Sequence, residues 1–120
     1  MKKKLAIIGA GIAGLTLANL LKNYSDHEFT IYEKEGNLPL DEGYGIQLST
    51  NCIEILNLIN FKKINNENIF HPNKIDFYDI KNKKICDFDL TQFNKYDCKY
   101  TTLQRSTLIE FLKEDVYNLH

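Results

Sequence analysis

The chain has 120 residues, a length that suits one domain. Its hydrophobic content of 43% and charged content of 26% are ordinary for a folded protein, and a net charge of −1 offers no footprint for nucleic acid or an anionic membrane. Cys52, Cys86 and Cys98 are scattered without a C-x-x-C, and His27, His71 and His120 lack ligand spacing. This argues against a disulfide framework and a metal centre, and fits a reducing, cytoplasmic setting.

The first informative stretch is Leu5–Leu21, LAIIGAGIAGLTLANLL, directly after MKKK. A basic start followed by an apolar run can open a secretory signal, but no A-x-A cleavage site precedes the next polar stretch. The run also contains three glycines, Thr16 and Asn19, and falls short of the about 20 mostly apolar residues of a membrane span. No stable membrane insertion is expected from it.

A different reading accounts for more of the residues downstream. Leu5–Ile8 is a continuous apolar run, the pattern of a strand buried on both faces of a parallel sheet. Gly9-Ala10-Gly11-Ile12-Ala13-Gly14 comes next, and Ile12, Leu15, Ala18 and Leu21 then recur at helical spacing to about Lys22. The polar NYSDHE ends the helix. FTIYE resumes a strand, with Phe29 and Ile31 alternating and Glu33 at its end. This is a β-α-β unit, and G-x-G-x-x-G at its first turn is the fingerprint of a dinucleotide site.

Each residue has a physical role in that reading. Gly9 permits the tight turn, Gly11 lets a pyrophosphate approach the backbone, and Gly14 lets helix and strand pack closely. Ile12 and Ala13, between the glycines, lie where a helix start offers free N–H groups and partial positive charge to phosphate. Glu33 falls 19 positions after Gly14, close to the ~20 expected of the acid that binds a ribose. A carboxylate there repels a 2′-phosphate, which favours the adenosine half of FAD or NAD over NADP. Lys34 is next in the chain and is a further candidate cofactor contact.

DEGYGIQLSTNCIEILNLINF (41–61) combines a Gly-rich, strand-like piece from Gly43 to Leu48 with a helix. Ser49, Thr50 or Asn51 can cap that helix, and Ile53, Leu56 and Ile59–Asn60 trace its apolar face. KIDFYDIKNKKICDFDL (74–90) alternates Ile75, Phe77 and Ile80, then Ile85 and Phe88, around a KNKK turn, which predicts a hairpin. YTTLQRSTLIEFLKE (100–114) reads as a strand leading into a helix. Leu108, Phe111 and Leu112 form the buried face of that helix, and Arg105 stands at its start, an unfavourable place for a cation.

The succession of GAGIAG with Glu33, then GYGIQLSTN, then LQRSTL resembles the N-terminal part of the class A FAD-dependent monooxygenases, the p-hydroxybenzoate and salicylate hydroxylase type. The matching positions are Gly43, Gly45, Ile46, Leu48 and Asn51 in the second motif, and Arg105 and Leu108 in the third. The resemblance covers essentially the whole chain. It implies bound FAD, NAD(P)H as co-substrate, and hydroxylation of an aromatic or similar small substrate. It implies that Gly9, Gly11 and Gly14 line the pyrophosphate and that Glu33 holds the adenine ribose. Gly45 and Gln47 would lie toward the flavin, and Arg105 would reach toward the phosphates or ribityl chain. Tyr44 either lies on the surface or borders the flavin. One departure is EKE after the second strand, where an arginine often comes next in the family.

The expected class is therefore α/β: a Rossmann-like FAD/NAD(P)-binding fold with an N-terminal βαβ unit of a parallel sheet, plus a small antiparallel hairpin on the substrate-domain side. In this scheme residues 1–73 and 99–120 form the nucleotide-binding portion, and 74–98 is a hairpin excursion toward a substrate domain. The family's later DG and GD segments are absent, so the chain reads as an N-terminal fragment of an incomplete domain. No residue is assigned as a catalytic acid or base, and oligomeric state is not legible. Open alternatives are an NAD-dependent dehydrogenase, another FAD-dependent oxidoreductase, a non-catalytic dinucleotide-binding module, and a secreted protein with a cleaved leader.

Overall fold

The computed structural model describes residues 2–23, 26–36 and 44–116. Strand β1 (Lys3–Ile8), helix α1 (Ile12–Leu21) and strand β2 (His27–Tyr32) form the predicted unit. The two strands pair in parallel, with Lys3 opposite His27 and Ile8 opposite Tyr32. A parallel pair needs a crossover, and α1 supplies it. Leu15 and Ala18 of the helix are fully buried, while Ile12 and Leu21 pack at the margin of the same core.

The expectation that β1 is buried on both faces is not met. Ile7 is buried, but Leu5 is 38% exposed and Ile8 81%. The reason is coverage. Helix α1 lies over the face that carries Ile7 and Ile31. Among the described residues nothing covers the face carrying Ile8 and Tyr32, and only β2 pairs with β1. An apolar run reports what a strand is suited to bury against, which differs from what covers it here.

Strand β3 (Gly45–Leu48) leads into α2 (Thr50–Asn57). Gly43, placed in the strand from the sequence, lies outside the described residues. Ser49 stands at the N-cap of α2, but its side chain accepts no helix N–H; its hydroxyl donates to Asn51 Oδ1. Ile53 and Leu56 are buried as the spacing predicts. The helix stops at Asn57, so Ile59 packs from the turn beyond it, and Asn60 takes a left-handed φ of 65° there.

Several short elements are ones that periodicity does not foretell, among them the 3₁₀ turns Asn66–Asn68 and Leu90–Phe93. Phe61–Lys63 is a single 3₁₀ turn with Phe61 buried, and Ile69–Phe70 is a two-residue strand, β4. The hairpin is present as β5 (Lys74–Tyr78) and β6 (Lys84–Asp89). Its turn spans Asp79–Lys83 rather than KNKK alone, because Asp79 Oδ1 accepts the N–H groups of both Lys81 and Lys83 at 2.8 Å. Ile80 therefore sits in the turn and is fully exposed.

The last pair is β7 (Thr101–Gln104) and α3 (Arg105–Lys113). Strand β7 is central to a three-stranded antiparallel sheet ordered β3-β7-β4. Leu108, Ile109 and Leu112 of α3 are buried, and Phe111 packs edge-on against Phe61 with ring centroids 5.7 Å apart. One core joins all these parts: Ile7, Ala10, Leu15 and Ile31 from the N-terminal unit meet Leu103, Leu108 and Leu112 from the C-terminal one. Buried Asn19 fastens α1 to α3. Its amide donates to the Leu15 carbonyl at 2.9 Å and to the Leu112 carbonyl at 2.7 Å.

Candidate functional site

The loop between β1 and α1 is shaped by its glycines. Gly9 has φ +98°, a left-handed conformation that residues with a Cβ rarely adopt. Its N–H donates to the Tyr32 carbonyl at 2.7 Å, tying the loop to the end of β2. Gly14 is where helix and loop touch. A Cβ added there would stand 2.1 Å from the Gly9 carbonyl oxygen and 3.2 Å from the Ile7 side chain. A Cβ on Gly11 would meet nothing within 4 Å, so the space beside that backbone is open to a ligand.

Helix α1 begins without a side-chain cap, since Gly11 occupies the N-cap. The Leu15 N–H bond to the Gly11 carbonyl, 2.9 Å, is the first of the helix. The N–H groups at the helix start, those of Ile12 and Ala13 included, therefore have no partner within it. Aligned peptide dipoles add partial positive charge at the same point. That combination is an anion cradle.

Glu33 emerges from the end of β2 onto this loop. Its Oε2 accepts the Ala10 N–H at 2.6 Å, and its Oε1 accepts the Glu35 N–H at 3.1 Å. The Ala10 N–H, and secondarily that of Glu35, hold the carboxyl below its ordinary range. Lys34 beside it pairs with Glu35 at 3.9 Å, with both side chains largely exposed.

A second group assembles around Arg105. Pairing of β3 with β7 sets Gly45 opposite Gln104, the residue before Arg105. The Arg105 N–H donates to the Tyr44 carbonyl at 3.1 Å, and its guanidinium lies 5.9 Å from the centre of the Tyr44 ring, a cation–π distance. Gln47 accepts a hydrogen bond from the Tyr100 hydroxyl at 2.9 Å. The structure thus gathers Gly9, Gly11, Ile12, Ala13, Gly14 and Glu33 in one place, and Gly45, Gln47 and Arg105 in another, on a shared core. Sequence reasoning missed the Ala10 N–H as partner of Glu33, Tyr44 as partner of Arg105, and Tyr100 as partner of Gln47. For Tyr44 the signal was its place directly before Gly45; for the other two no local pattern announces the contact.

A cleft of about 490 Å³ lined by Ile64, Asn68, Thr107 and Phe111 contains none of these residues. Among the described residues no group of three His, Cys, Asp or Glu side chains could hold a metal ion, and no helix is long and apolar enough to cross a membrane.

Comparison with known proteins addresses the same regions. Residues 7–39 match the family model of the NAD(P)-binding Rossmann-like domain. No curated protein matches the sequence significantly. Among solved structures, the tetrameric form of 2-methyl-3-hydroxypyridine-5-carboxylic acid oxygenase is similar at 21% identity and TM-score 0.76, over 94% of this chain and 28% of that one. 2,6-Dihydroxypyridine-3-hydroxylase from Arthrobacter nicotinovorans is similar at 15% identity and TM-score 0.70, over 100% of this chain and 28% of that one. CtdE in complex with FAD and a substrate is similar at 18% identity and TM-score 0.72, over 92% of this chain and 27% of that one. The chain spans under a third of the length of each of these proteins. From its Rossmann-like βαβ unit through α3, it therefore has a fold shared with one segment of these proteins.

Proposed function

We propose that this chain is the FAD-binding segment of a cytoplasmic flavoprotein monooxygenase, which hydroxylates an aromatic or similar small substrate with NAD(P)H and O₂. The observation that carries the reading is the meeting of the glycine loop, the uncapped start of α1 and the Glu33 carboxylate. The N–H groups of Gly11, Ile12, Ala13 and Gly14 would hold the pyrophosphate, with Gly9 shaping the turn. Glu33 would accept the ribose hydroxyls, with Lys34 at the edge. Gly45, Gln47 and Arg105 would lie toward the ribityl and flavin portion. When bound, FAD supplies the redox chemistry, and this segment binds and orients it. The likeness to a structure solved with FAD supports the choice of cofactor.

In this reading residues 1–73 and 99–120 form the nucleotide portion, and 74–98 reaches toward a substrate domain. The exposed apolar side chains of the hairpin, Phe77 and Phe88, accord with that. The match of residues 7–39 to an NAD(P)-binding model favours NAD as the second reading.

Titration of the purified chain with FAD, ADP, NAD and NADP tests the proposal. FAD and ADP binding, with a shift of the flavin absorption band, is the expected result. Retention of NAD without FAD would establish the second reading instead. Preference for NADP would remove Glu33 from the ribose site.

A further inference from the structure

We infer that Glu33 locks the glycine loop in its phosphate-binding conformation, so that the ribose and pyrophosphate halves of the site are coupled through one carboxylate. The inference rests on the proposed nucleotide site and adds a positioning role to Glu33.

Two bonds zip the loop to the end of β2. The Gly9 N–H meets the Tyr32 carbonyl at 2.7 Å, and the Ala10 N–H meets Glu33 Oε2 at 2.6 Å. The second is charge-assisted and therefore the stronger kind. It lies at the residue whose side chain is fully buried in the core and whose neighbour Gly9 holds φ +98°. Glu33 is itself held by the Glu35 N–H on its other oxygen. The Lys34 backbone N–H also acts on this carboxylate, and of its roughly four acceptor positions the three N–H groups leave one for a hydroxyl. The Ala10 N–H is committed to Glu33 and not to phosphate. The phosphate is left the N–H groups from Gly11 onward, whose direction is set by how Ala10 is held.

A lock and a simple ribose contact differ in sign for a ligand without a ribose. Removing a negative charge beside an anion site strengthens inorganic pyrophosphate binding when Glu33 serves the ribose alone. Removing a lock weakens it, because the loop must be reordered on binding.

The experiment compares the 120-residue chain with Glu33→Ala and Glu33→Gln. It measures calorimetric affinity for inorganic pyrophosphate and ADP, and amide hydrogen exchange at Gly9 and Ala10. The lock predicts exchange at Ala10 faster by about ten-fold in Glu33→Ala, the size of a charged hydrogen bond. It predicts pyrophosphate binding weaker in Glu33→Ala than in the equally uncharged Glu33→Gln, a larger loss for ADP, and recovery of Ala10 protection in Glu33→Gln, which keeps one acceptor oxygen. Pyrophosphate binding as tight in Glu33→Ala as in the equally uncharged Glu33→Gln overturns the lock, as does unchanged Ala10 protection in Glu33→Ala. If the unmodified chain binds neither pyrophosphate nor ADP, the nucleotide reading itself fails, and Ala10 exchange alone then decides whether the loop is locked.

Discussion

At the scale of single residues, Gly14 and Glu33 bear the strongest constraints. Gly14→Ala would drive a methyl to 2.1 Å from the Gly9 carbonyl oxygen. Backbone cannot yield as a flexible side chain does, so the expected loss of stability is about 3 kcal/mol or more, read from urea denaturation. Glu33 adds a pH dependence. The Ala10 N–H, then that of Glu35, lowers its folded pKa below the ordinary 4.5, so the folded state favours the ionised form. Its contribution is complete above about pH 4.5 and is lost as the pH falls through the lowered folded value. Ala10 amide protection, corrected for intrinsic exchange, should track that course. The roles of Gly9 and Gly14 were readable because the motif's spacing corresponds to backbone demands. The Ala10–Glu33 bond was not, since a sequence gives the acid's position and not the direction its carboxylate takes.

Among the elements, α1 and α3 depend on each other through Asn19. Asn19→Ala removes the donor to the Leu112 carbonyl, and the expected cost is about 1–3 kcal/mol, seen as a lower urea midpoint with an unchanged slope. The hairpin is held differently. One face carries Lys74, Asp76, Lys84 and Asp87, with Asp76 contacting Lys84 at 3.0 Å and Lys74 at 3.1 Å. The other carries Phe77 and Phe88 as an edge-to-face pair at 6.0 Å, with the two residues 46% and 54% exposed. A double-mutant cycle on that pair should give a coupling of about 0.5–1.5 kcal/mol, whereas Leu108→Ala in the core should cost about 2–5 kcal/mol. The helices and the hairpin were legible because their signals are local: apolar spacing, a polar break, a Lys- and Asn-rich turn. The β3-β7-β4 sheet was not. Gly45–Leu48 meets Thr101–Gln104 across more than fifty residues, and no pattern within either strand selects the other as partner. The bare face of β1 escaped notice for a related reason, since an apolar strand looks the same in sequence whether or not it is covered.

For the molecule as a whole, the radius of gyration is 17.2 Å, against about 14 Å for a compact domain of this length. The excess goes with uncovered apolar surface at Ile8 and Tyr32 on the parallel pair and at Ile85, Phe77 and Phe88 on the hairpin. Net charge near zero gives little repulsion to oppose association through those faces. Sedimentation velocity at rising concentration should show self-association, and the double variant Ile8→Lys with Ile85→Lys should abolish it while leaving the melting temperature nearly unchanged. The bond from Asn19 to Leu112, 93 positions apart, also has a meaning in time. Translation at 5–20 residues per second separates the two by roughly 5–20 s. Through that interval the nascent chain displays the α3-facing side of α1 without its cover. The first helix therefore completes its packing only when α3 leaves the ribosome.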